Sequence, residues 1–318
     1  MCYSAMVKQR YSEYVRVFGA RVDIDEFARL YVFRSQGGAV KIPKGMDANF
    51  DEPGTDGERA IKSLIQTYNK SNSEKWEQEI FKQRRRLADA ERALHAKPTK
   101  KAANDKRIAT NRIEQMLGWL DDLKRTEPKS RDSRIFSKSY CPVMVFENGH
   151  RVVKPMRYLC RPAGMPASFD EKYPGCFNAR RDNLEGFWKN QFGQTHGIVL
   201  ATSFFENVSR HRLEDRELRH GESEENVRIE FRPQTGGVMH AACLWSRWIG
   251  PDGSELLSFA AITDEPPAEV AATGHDRCII PIDPGNIDAW LDPNGDLVKS
   301  YAILDARERP YYEHRLAA

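Results

Sequence analysis

Apolar residues alternate with polar ones, or run together in short stretches, from about residue 141 to the end of the chain. The segment CPVMVFENGHRVVKPMRYL, which starts at Cys141, predicts two strands joined by an Asn-Gly turn. The same patterns predict strands for HGIVLATSFFENV, VRIEF, HAACLWSRWIG and SFAAITDE, and a helix start with an early proline for PGNIDAWL. Many strands, short turns and few helices favour a compact, β-rich α+β domain with antiparallel or mixed sheets.

The middle of the chain, from about residue 57 to 133, follows a helical period instead. The segment KPTKK at 97–101 interrupts this period, because proline cannot continue a helix, so an antiparallel pair of helices is predicted. Ser71 and Glu74 have the spacing of a capping box and place the start of the first helix near residue 71. The apolar positions that define the two helix faces are Trp76, Ile80, Leu87 and Leu94, then Ala109, Ile113, Met116, Leu120 and Leu123.

The two patterns predict how the chain is divided. A β-rich domain is predicted from residues 1–55 and 134–318, with a helical hairpin at 56–133 inserted between them. Within the first part, DEFARLYVF (Asp25 to Phe33) predicts a short helix that starts at an acidic cap. The apolar faces of the hairpin are short, which favours an arm, or a helix pair packed on the main domain, over a long coiled coil.

Charge is distributed unevenly along the chain. The 318 residues have a formal net charge of only +3, so charge alone does not require a nucleic-acid partner. Residues 79–131, however, contain 15 lysines and arginines and only eight acidic residues. This surface of the hairpin is either a solvated helix face or an arm that contacts phosphates. No apolar run approaches 18 residues and no export signal is present, so we expect a cytoplasmic protein without a membrane partner, associated with the nucleoid if the source is bacterial.

The six cysteines show no metal-binding spacing, and we expect neither a metal nor another cofactor. In a reducing compartment their thiols are expected to be free, and Cys160, Cys176, Cys243 and Cys278 to be small buried hydrophobes. Cys2 is different because it directly follows the initiator methionine. Removal of Met1 would leave Cys2 with a free α-amine and a thiol on adjacent carbons.

Five short segments, in this order, resemble the SRAP (SOS response-associated peptidase) family, whose members shield abasic sites in single-stranded DNA. They are MCYSA, KPMRYLCRP, FNARRD, GIVLATSFFENV and TGHDRCIIPI. The resemblance covers residues 1 to about 45 loosely and about 141–295 well, and leaves the hairpin outside. The residues that match the family's motifs are Cys2, Pro155, Met156, Arg157, Tyr158, Asn178, Arg180, Phe205, Glu206, His275, Asp276 and Arg277.

The resemblance implies covalent capture of the abasic sugar. The α-amine of Cys2 attacks the ring-opened aldehyde to give a Schiff base, and the thiol closes a five-membered thiazolidine ring. Glu206 is implied as the proton carrier around the sugar, and His275 as a second acid and base or as a partner of the sugar hydroxyl. Asn178 is implied to bind the opened sugar or to orient the amine.

The resemblance also implies a set of residues that contact DNA. Arg180 is implied to bind a backbone phosphate, and Thr263 to lie close to the glutamate. The family continues Cys-Gly-Arg where this chain has Cys2-Tyr3-Ser4, so Arg157, Arg161 or the hairpin is expected to supply the missing phosphate contact. Met165 stands near the position of the family's wedge tryptophan but cannot stack as an aromatic ring does.

Three functions remain open on the sequence alone. The first is capture of abasic sites in single-stranded DNA by a monomer, with lyase activity as an extension and with the hairpin contacting DNA or a replication or repair protein. The second is a peptidase or self-cleaving peptidase that uses the N-terminal cysteine. The third is a non-catalytic module that binds nucleic acid or a partner through the basic hairpin. The structural alternatives are a surface ion pair for Arg180, a turn position for His275 and an ordinary strand position for Thr263.

Overall fold

The computed structural model of the protein describes residues 4–317. It contains both helices and a twelve-stranded mixed sheet, which confirms the predicted α+β class. The strands are β1 (Ser4–Val7), β2 (Arg21–Val22), β3 (Arg134–Phe136), β4 (Tyr140–Glu147), β5 (His150–Tyr158), β6 (Asn178–Arg180), β7 (His196–Ser209), β8 (Asn226–Pro233), β9 (Met239–Ile249), β10 (Glu255–Asp264), β11 (Cys278–Ile279) and β12 (Tyr312–Leu316).

The helices fall into two long ones and several short ones. Their bounds are α1 (Tyr11–Phe18), α2 (Ile24–Ser35), α3 (Lys44–Asp47), α4 (Asp56–Ala96), α5 (Lys100–Lys124), α6 (Phe169–Lys172), α7 (Arg210–Leu213), α8 (Ala268–Ala271), α9 (Ile287–Leu291) and α10 (Leu297–Asp305). Short 3₁₀ turns lie at Ala48–Phe50, Ser130–Ser133, Arg181–Asn183 and Pro284–Asn286. None of the helices within residues 4–317 is long and apolar enough to cross a membrane.

The chain divides into two compact units. The first comprises Met1–Leu30, Ala39–Glu52 and Lys129–Ala318, and the second comprises Tyr31–Gly38 and Pro53–Pro128. The twelve strands belong to the first unit and the two long helices to the second. The predicted domain limits at residues 56 and 133 stay a prediction.

Five strands of the first unit close into a ring. The ring runs β4, β5, β10, β9, β7 and back to β4, with β5 and β10 parallel and the other neighbours antiparallel. The predicted hairpin of β4 and β5 is confirmed, and its turn has Asn148 and Gly149 at φ of 51° and 77°, the left-handed pair that a two-residue hairpin favours. A closed ring leaves few open strand edges at the centre of the unit.

Both faces of these strands are buried. One set of side chains fills the ring, and the other packs against α1, α9 and α10 and the segment around Trp188. On β4, for example, Val143 belongs to the inner set and Met144 to the outer set. Burial on two sides explains why these strands are almost continuously apolar in the sequence.

The second unit is centred on the hairpin of α4 and α5. The apolar contact between them consists of Ile80, Met116 and Leu120 with Trp76 and Ile113, as the period predicts. The predicted start near residue 71 is wrong, because Ser71 and Glu74 lie inside α4. The capping box is at Thr55, whose Oγ1 accepts from the Glu58 amide while the Glu58 carboxylate accepts from the Thr55 amide.

The short helix predicted from Asp25 is also displaced at its start. α2 begins at Ile24, and the carboxylate of Asp23 accepts a hydrogen bond from the Glu26 amide at 3.1 Å. The cap is therefore an aspartate two residues earlier than predicted.

The buried His196 gives this fold a pH-dependent stability. Its Nδ1 donates to the Trp290 carbonyl at 2.9 Å, and its Nε2 accepts from the Gly193 amide at 2.8 Å, so the neutral ring satisfies both partners. Burial lowers the pKa of His196 to about 4, against a smaller opposing effect of the Trp290 carbonyl.

We expect the free energy of unfolding to fall by about 3 kcal/mol between pH 6.5 and pH 4 because of this group. The unfolded chain binds a proton in that range and the folded chain does not, so the contribution is complete above pH 6.5. Denaturant titrations at a series of pH values measure it. His196→Gln removes the titration and should flatten the curve, and an equally steep curve in that variant would contradict the assignment.

Candidate active site

Glu206 lies in the second half of the strand that the sequence marks as apolar. On β7 its neighbours on the same face are Phe204 and Val208, which both belong to the core inside the ring. Ile229 on β8 lies directly opposite, and Glu206 is completely buried. A carboxylate in such surroundings is costly unless it has polar partners, which marks it as a functional candidate.

His275 supplies one such partner. Its Nε2 lies 3.1 Å from Oε1 of Glu206, within ion-pair distance of the carboxylate. The His275 side chain is only 9% exposed. Gly274, at a φ of 83°, makes the turn that leads from α8 into this segment, a conformation that glycine adopts without strain. The structure thus brings together two residues that lie 69 positions apart in the sequence.

Asn178 and Thr263 are positioned by β10. β6 runs parallel to β10, with Asn178 opposite Ala261 and Arg180 opposite Thr263. The hydroxyl of Tyr158 donates to Oδ1 of Asn178 at 3.2 Å, and both side chains are buried. Thr263 is also buried, and no described residue within 4–317 forms a hydrogen bond with its hydroxyl. On its other side β10 pairs with β11, which follows His275 in the chain.

Arg180 is exposed and bound to a neighbouring acid. Its guanidinium forms a two-point ion pair with Asp182, and Arg277 lies 3.7 Å from the same carboxylate. The FNARRD and HDR segments therefore meet at one polar cluster. In this structure Arg180 is in the surface ion pair that the sequence left open, and its contact with DNA stays a prediction.

Arg157 and Arg161 converge on one carboxylate. Each donates to Oδ2 of Asp170, at 2.7 Å and 2.6 Å, and the Arg161 guanidinium lies over the Trp248 ring at 4.3 Å. Burial raises the pKa of Asp170, but hydrogen bonds from Arg161 and Arg157 outweigh it and hold the pKa below its usual value. Both arginines thus have an intramolecular partner, and their contact with phosphate stays a prediction.

Met165 is one of the exposed apolar side chains of this region, at 39% exposure. Its carbonyl accepts a hydrogen bond from the Trp248 indole. The loop that carries Met165 is thereby tied to the arginine cluster, while the thioether remains accessible.

The first described strand lies against the strand of Glu206. Ser4 is paired with Phe205, the residue before Glu206. The Arg134 guanidinium donates to Ser4 Oγ at 2.9 Å and 3.1 Å and lies 3.6 Å from the centre of the Phe205 ring. Arg134 therefore fastens the start of β1 to β7. Cys2, the predicted nucleophile, lies outside the described residues.

The described cysteines are free thiols, and burial raises the pKa of each of them. The pKa is raised to about 12 for Cys160, about 11 for Cys176 and about 12 for Cys278, and Cys141 and Cys243 are shifted in the same direction. Cys176 is only half-buried, not fully buried as predicted. A thiol with such a pKa carries almost no thiolate at neutral pH and is a poor nucleophile.

Leu159, directly after Tyr158, has an unusual backbone conformation. Its φ is 145°, and the residue is 1% exposed. Residues with a side chain seldom adopt this conformation, so the chain carries local strain directly after Tyr158. The Leu159 carbonyl accepts a hydrogen bond from Arg157 at 3.0 Å, which helps to hold this backbone conformation.

Sequence reasoning missed Arg134, Ser4 and Asp170. No local pattern identifies them, because their partners lie 130 residues away for Arg134 and Ser4, and in a neighbouring loop for Asp170. Tyr158 is visible within its motif, but the sequence does not show its hydrogen bond to Asn178. The positions of the motifs along the chain do not give the distances between them in the folded protein.

Comparison with known proteins identifies the family. A family model, SOS response associated peptidase (SRAP), matches residues 96–316, which is more than two-thirds of the chain. The protein belongs to the SRAP family, as the motifs predict. The match begins before α5, so it includes a helix that the motif resemblance left outside. Membership relates the protein to the DNA-damage response and to DNA at the level of the family.

Solved structures and curated proteins add little to this. A protein of Bacteroides thetaiotaomicron is 14% identical, with 58% of this chain and 78% of that chain covered and a TM-score of 0.47. A protein of Bordetella bronchiseptica is 16% identical, covering 58% and 87%, with a TM-score of 0.45. A phage-related protein of the same organism is 16% identical, covering 61% and 85%, with a TM-score of 0.44. No curated protein matches the chain.

Proposed function

We propose that the protein captures abasic sites in single-stranded DNA covalently through Cys2, once Met1 has been removed. The observation that carries the proposal is the buried contact between Glu206, on the strand that β1 joins, and His275. Ser4 is fixed beside Phe205, and two residues of extended chain span at most about 7 Å. This short span supports the proposal that the amine of Cys2 acts beside Glu206.

The chemistry needs no cofactor. The unprotonated α-amine adds to the sugar aldehyde, and the resulting carbinolamine loses water to give an imine. The thiol then adds across the C=N bond: sulfur bonds to carbon and the thiol proton passes to nitrogen. The net change is the loss of one water, and the product is a thiazolidine that joins the protein to DNA.

Glu206 and His275 are proposed to move the protons in these steps. A carboxylate with an imidazole nitrogen at 3.1 Å can accept a proton from the carbinolamine and return one to the departing hydroxyl. Asn178, held by Tyr158, is proposed to bind the opened sugar, with the Thr263 hydroxyl on the adjacent strand. Their burial keeps water from competing for these positions.

The state of the other cysteines supports the choice of Cys2. Burial keeps the five described thiols protonated, and each lacks the α-amine that the first step needs. Burial raises the pKa of the Cys278 thiol, and the nearby Glu206 carboxylate raises it further, so this thiol is also kept from ionising. Once Met1 has been removed, Cys2 is the one cysteine of this sequence that has both an α-amine and a thiol.

The DNA backbone is proposed to contact the arginines around the site. Arg180 lies at the surface beside Thr263, and exchanging Asp182 for a phosphate preserves its two-point geometry. Arg157 and Arg161 are proposed to act more weakly, since Asp170 already neutralises them in part. Met165 is proposed as an apolar contact for a base.

Intact-mass spectrometry tests the proposal directly. The purified protein is measured before and after incubation with an oligonucleotide that contains one abasic site, under denaturing conditions. We expect a starting mass without Met1 and a product heavier by the DNA less one water. A processed protein that forms no adduct would overturn the proposal, and Cys2-dependent cleavage of peptides would replace it with a peptidase.

A further inference from the structure

The distal half of the hairpin carries a concentrated net positive charge. Residues 82–107 contain ten lysines and arginines and three acidic residues, a net charge of +7. The whole chain has a net charge of +3, so all other residues together sum to −4. Like charges on one helix pair repel each other, so this concentration lowers stability unless a polyanion offsets it.

Several of these cations have no acidic partner. Within residues 4–317, the described carboxylates form ion pairs with Arg86, Arg92 and Lys106 of this half, and Lys82 lies 3.8 Å from Glu79. No described carboxylate lies within ion-pair distance of the remaining exposed cations on the two helices and their turn. These are Arg84, Arg85, Lys97, Lys100, Lys101 and Arg107.

Two of these cations, Arg85 on α4 and Lys101 on α5, line an open groove between the two helices, with a volume of about 580 Å³. Lys82 and Arg86 line it as well, together with Asp89 and Asp105, whose carboxylates are paired with Arg92 and Arg86. The small side chains Ala90, Ala93 and Ala102 line it as well and leave the space open.

An aromatic side chain completes this surface. Phe81 also lines the groove, one helical turn before Arg85, and is 66% exposed, the highest exposure of any aromatic ring among the described residues. An exposed phenylalanine next to unpaired cations is the combination with which proteins stack a base and neutralise its phosphate. A duplex would offer no unstacked base to Phe81.

We propose that this groove, with Phe81, Arg85 and Lys101 as its main contacts, is a binding site for single-stranded nucleic acid. The site shares no residue with those proposed for capture of abasic sugars and needs neither Cys2 nor an abasic site. The phosphates bind the cations of α4 and α5, and one base stacks on Phe81.

Fluorescence anisotropy with an undamaged, labelled oligo(dT) of about 20 nucleotides tests this proposal, with the full chain at several salt concentrations. An undamaged strand carries no aldehyde, so covalent capture does not contribute, and failure of one proposal leaves the other standing. Arg85→Ala with Lys101→Ala should weaken binding at least about tenfold and reduce the salt slope by about 1.4, or about 0.7 for each phosphate contact. Phe81→Ala should weaken it at least about fivefold.

The matched control is Lys75→Ala with Lys124→Ala, which removes the same charge from exposed positions in the other half of the hairpin. Circular dichroism confirms that each variant keeps its helices. Affinities and slopes of the groove variant equal to those of the control would overturn the proposal. Tighter binding of a duplex, or wild-type affinity for Phe81→Ala, would exclude a single strand as the ligand.

Discussion

The Cys2→Ala variant is expected to form no denaturation-resistant adduct with abasic single-stranded DNA. Alanine keeps the α-amine, so a Schiff base can still form, but hydrolysis reverses it. Without the thiol, no ring closes and nothing survives heating in detergent. The expected effect is a complete loss of adduct, measured by gel shift after denaturation and by intact mass.

Two further variants separate the roles of amine and thiol. Cys2→Ser should give the same loss but yield an adduct when borohydride reduces the imine, which shows that the amine still attacks. Cys176→Ala is the matched control, because this half-buried thiol has its pKa raised to about 11 and is not proposed to react. A heat-stable adduct from Cys2→Ala would refute the thiazolidine mechanism without refuting DNA binding.

Much of the β-rich unit can be predicted from sequence because its strands carry local signals. The Asn-Gly pair fixes the turn between β4 and β5, and burial on two faces makes β7, β9 and β10 strongly apolar. The start of α4 could not be found in the same way. Its capping box at Thr55 lies 16 residues before Ser71, and the polar stretch after Tyr68 resembles a helix start.

The candidate site, too, can be predicted only in part from the sequence. The residues within motifs are visible in the sequence, and Glu206 could be noticed as a charged residue in a buried strand. What the sequence cannot supply is pairing over long distances: Arg134 with Ser4, Asp182 with Arg277, and His275 with Glu206. These contacts depend on how the ring closes, which local patterns do not encode.

The Glu206→Gln variant is expected to lower the rate of adduct formation by about 10²- to 10⁴-fold, the usual contribution of a positioned acid and base. Glutamine keeps the size and the hydrogen-bonding shape of the side chain but cannot exchange protons with the carbinolamine. Affinity for the DNA strand should be unchanged. Single-turnover time courses with an abasic oligonucleotide measure the rate, and anisotropy measures the affinity.

Glu230→Gln is the matched control, since it is a similarly buried glutamate on the adjacent strand. Glu230 lies opposite Phe205, on the other face of the sheet from Glu206. Burial raises its pKa, but hydrogen bonds from Ser203, Arg232 and Arg315 outweigh it and keep the pKa low. Such a carboxylate stays ionised and cannot take over the proton transfer, so its variant should lose stability but not rate.

Because the Glu206 carboxylate and the His275 ring lie 3.1 Å apart, they are expected to act as a unit. His275→Gln should therefore slow adduct formation, and the double variant with Glu206→Gln should be little slower than Glu206→Gln alone. Fully multiplicative losses would indicate that the two groups act at separate steps. Equal rates for Glu206→Gln and Glu230→Gln would remove Glu206 from the mechanism and leave its burial to be explained by structure alone.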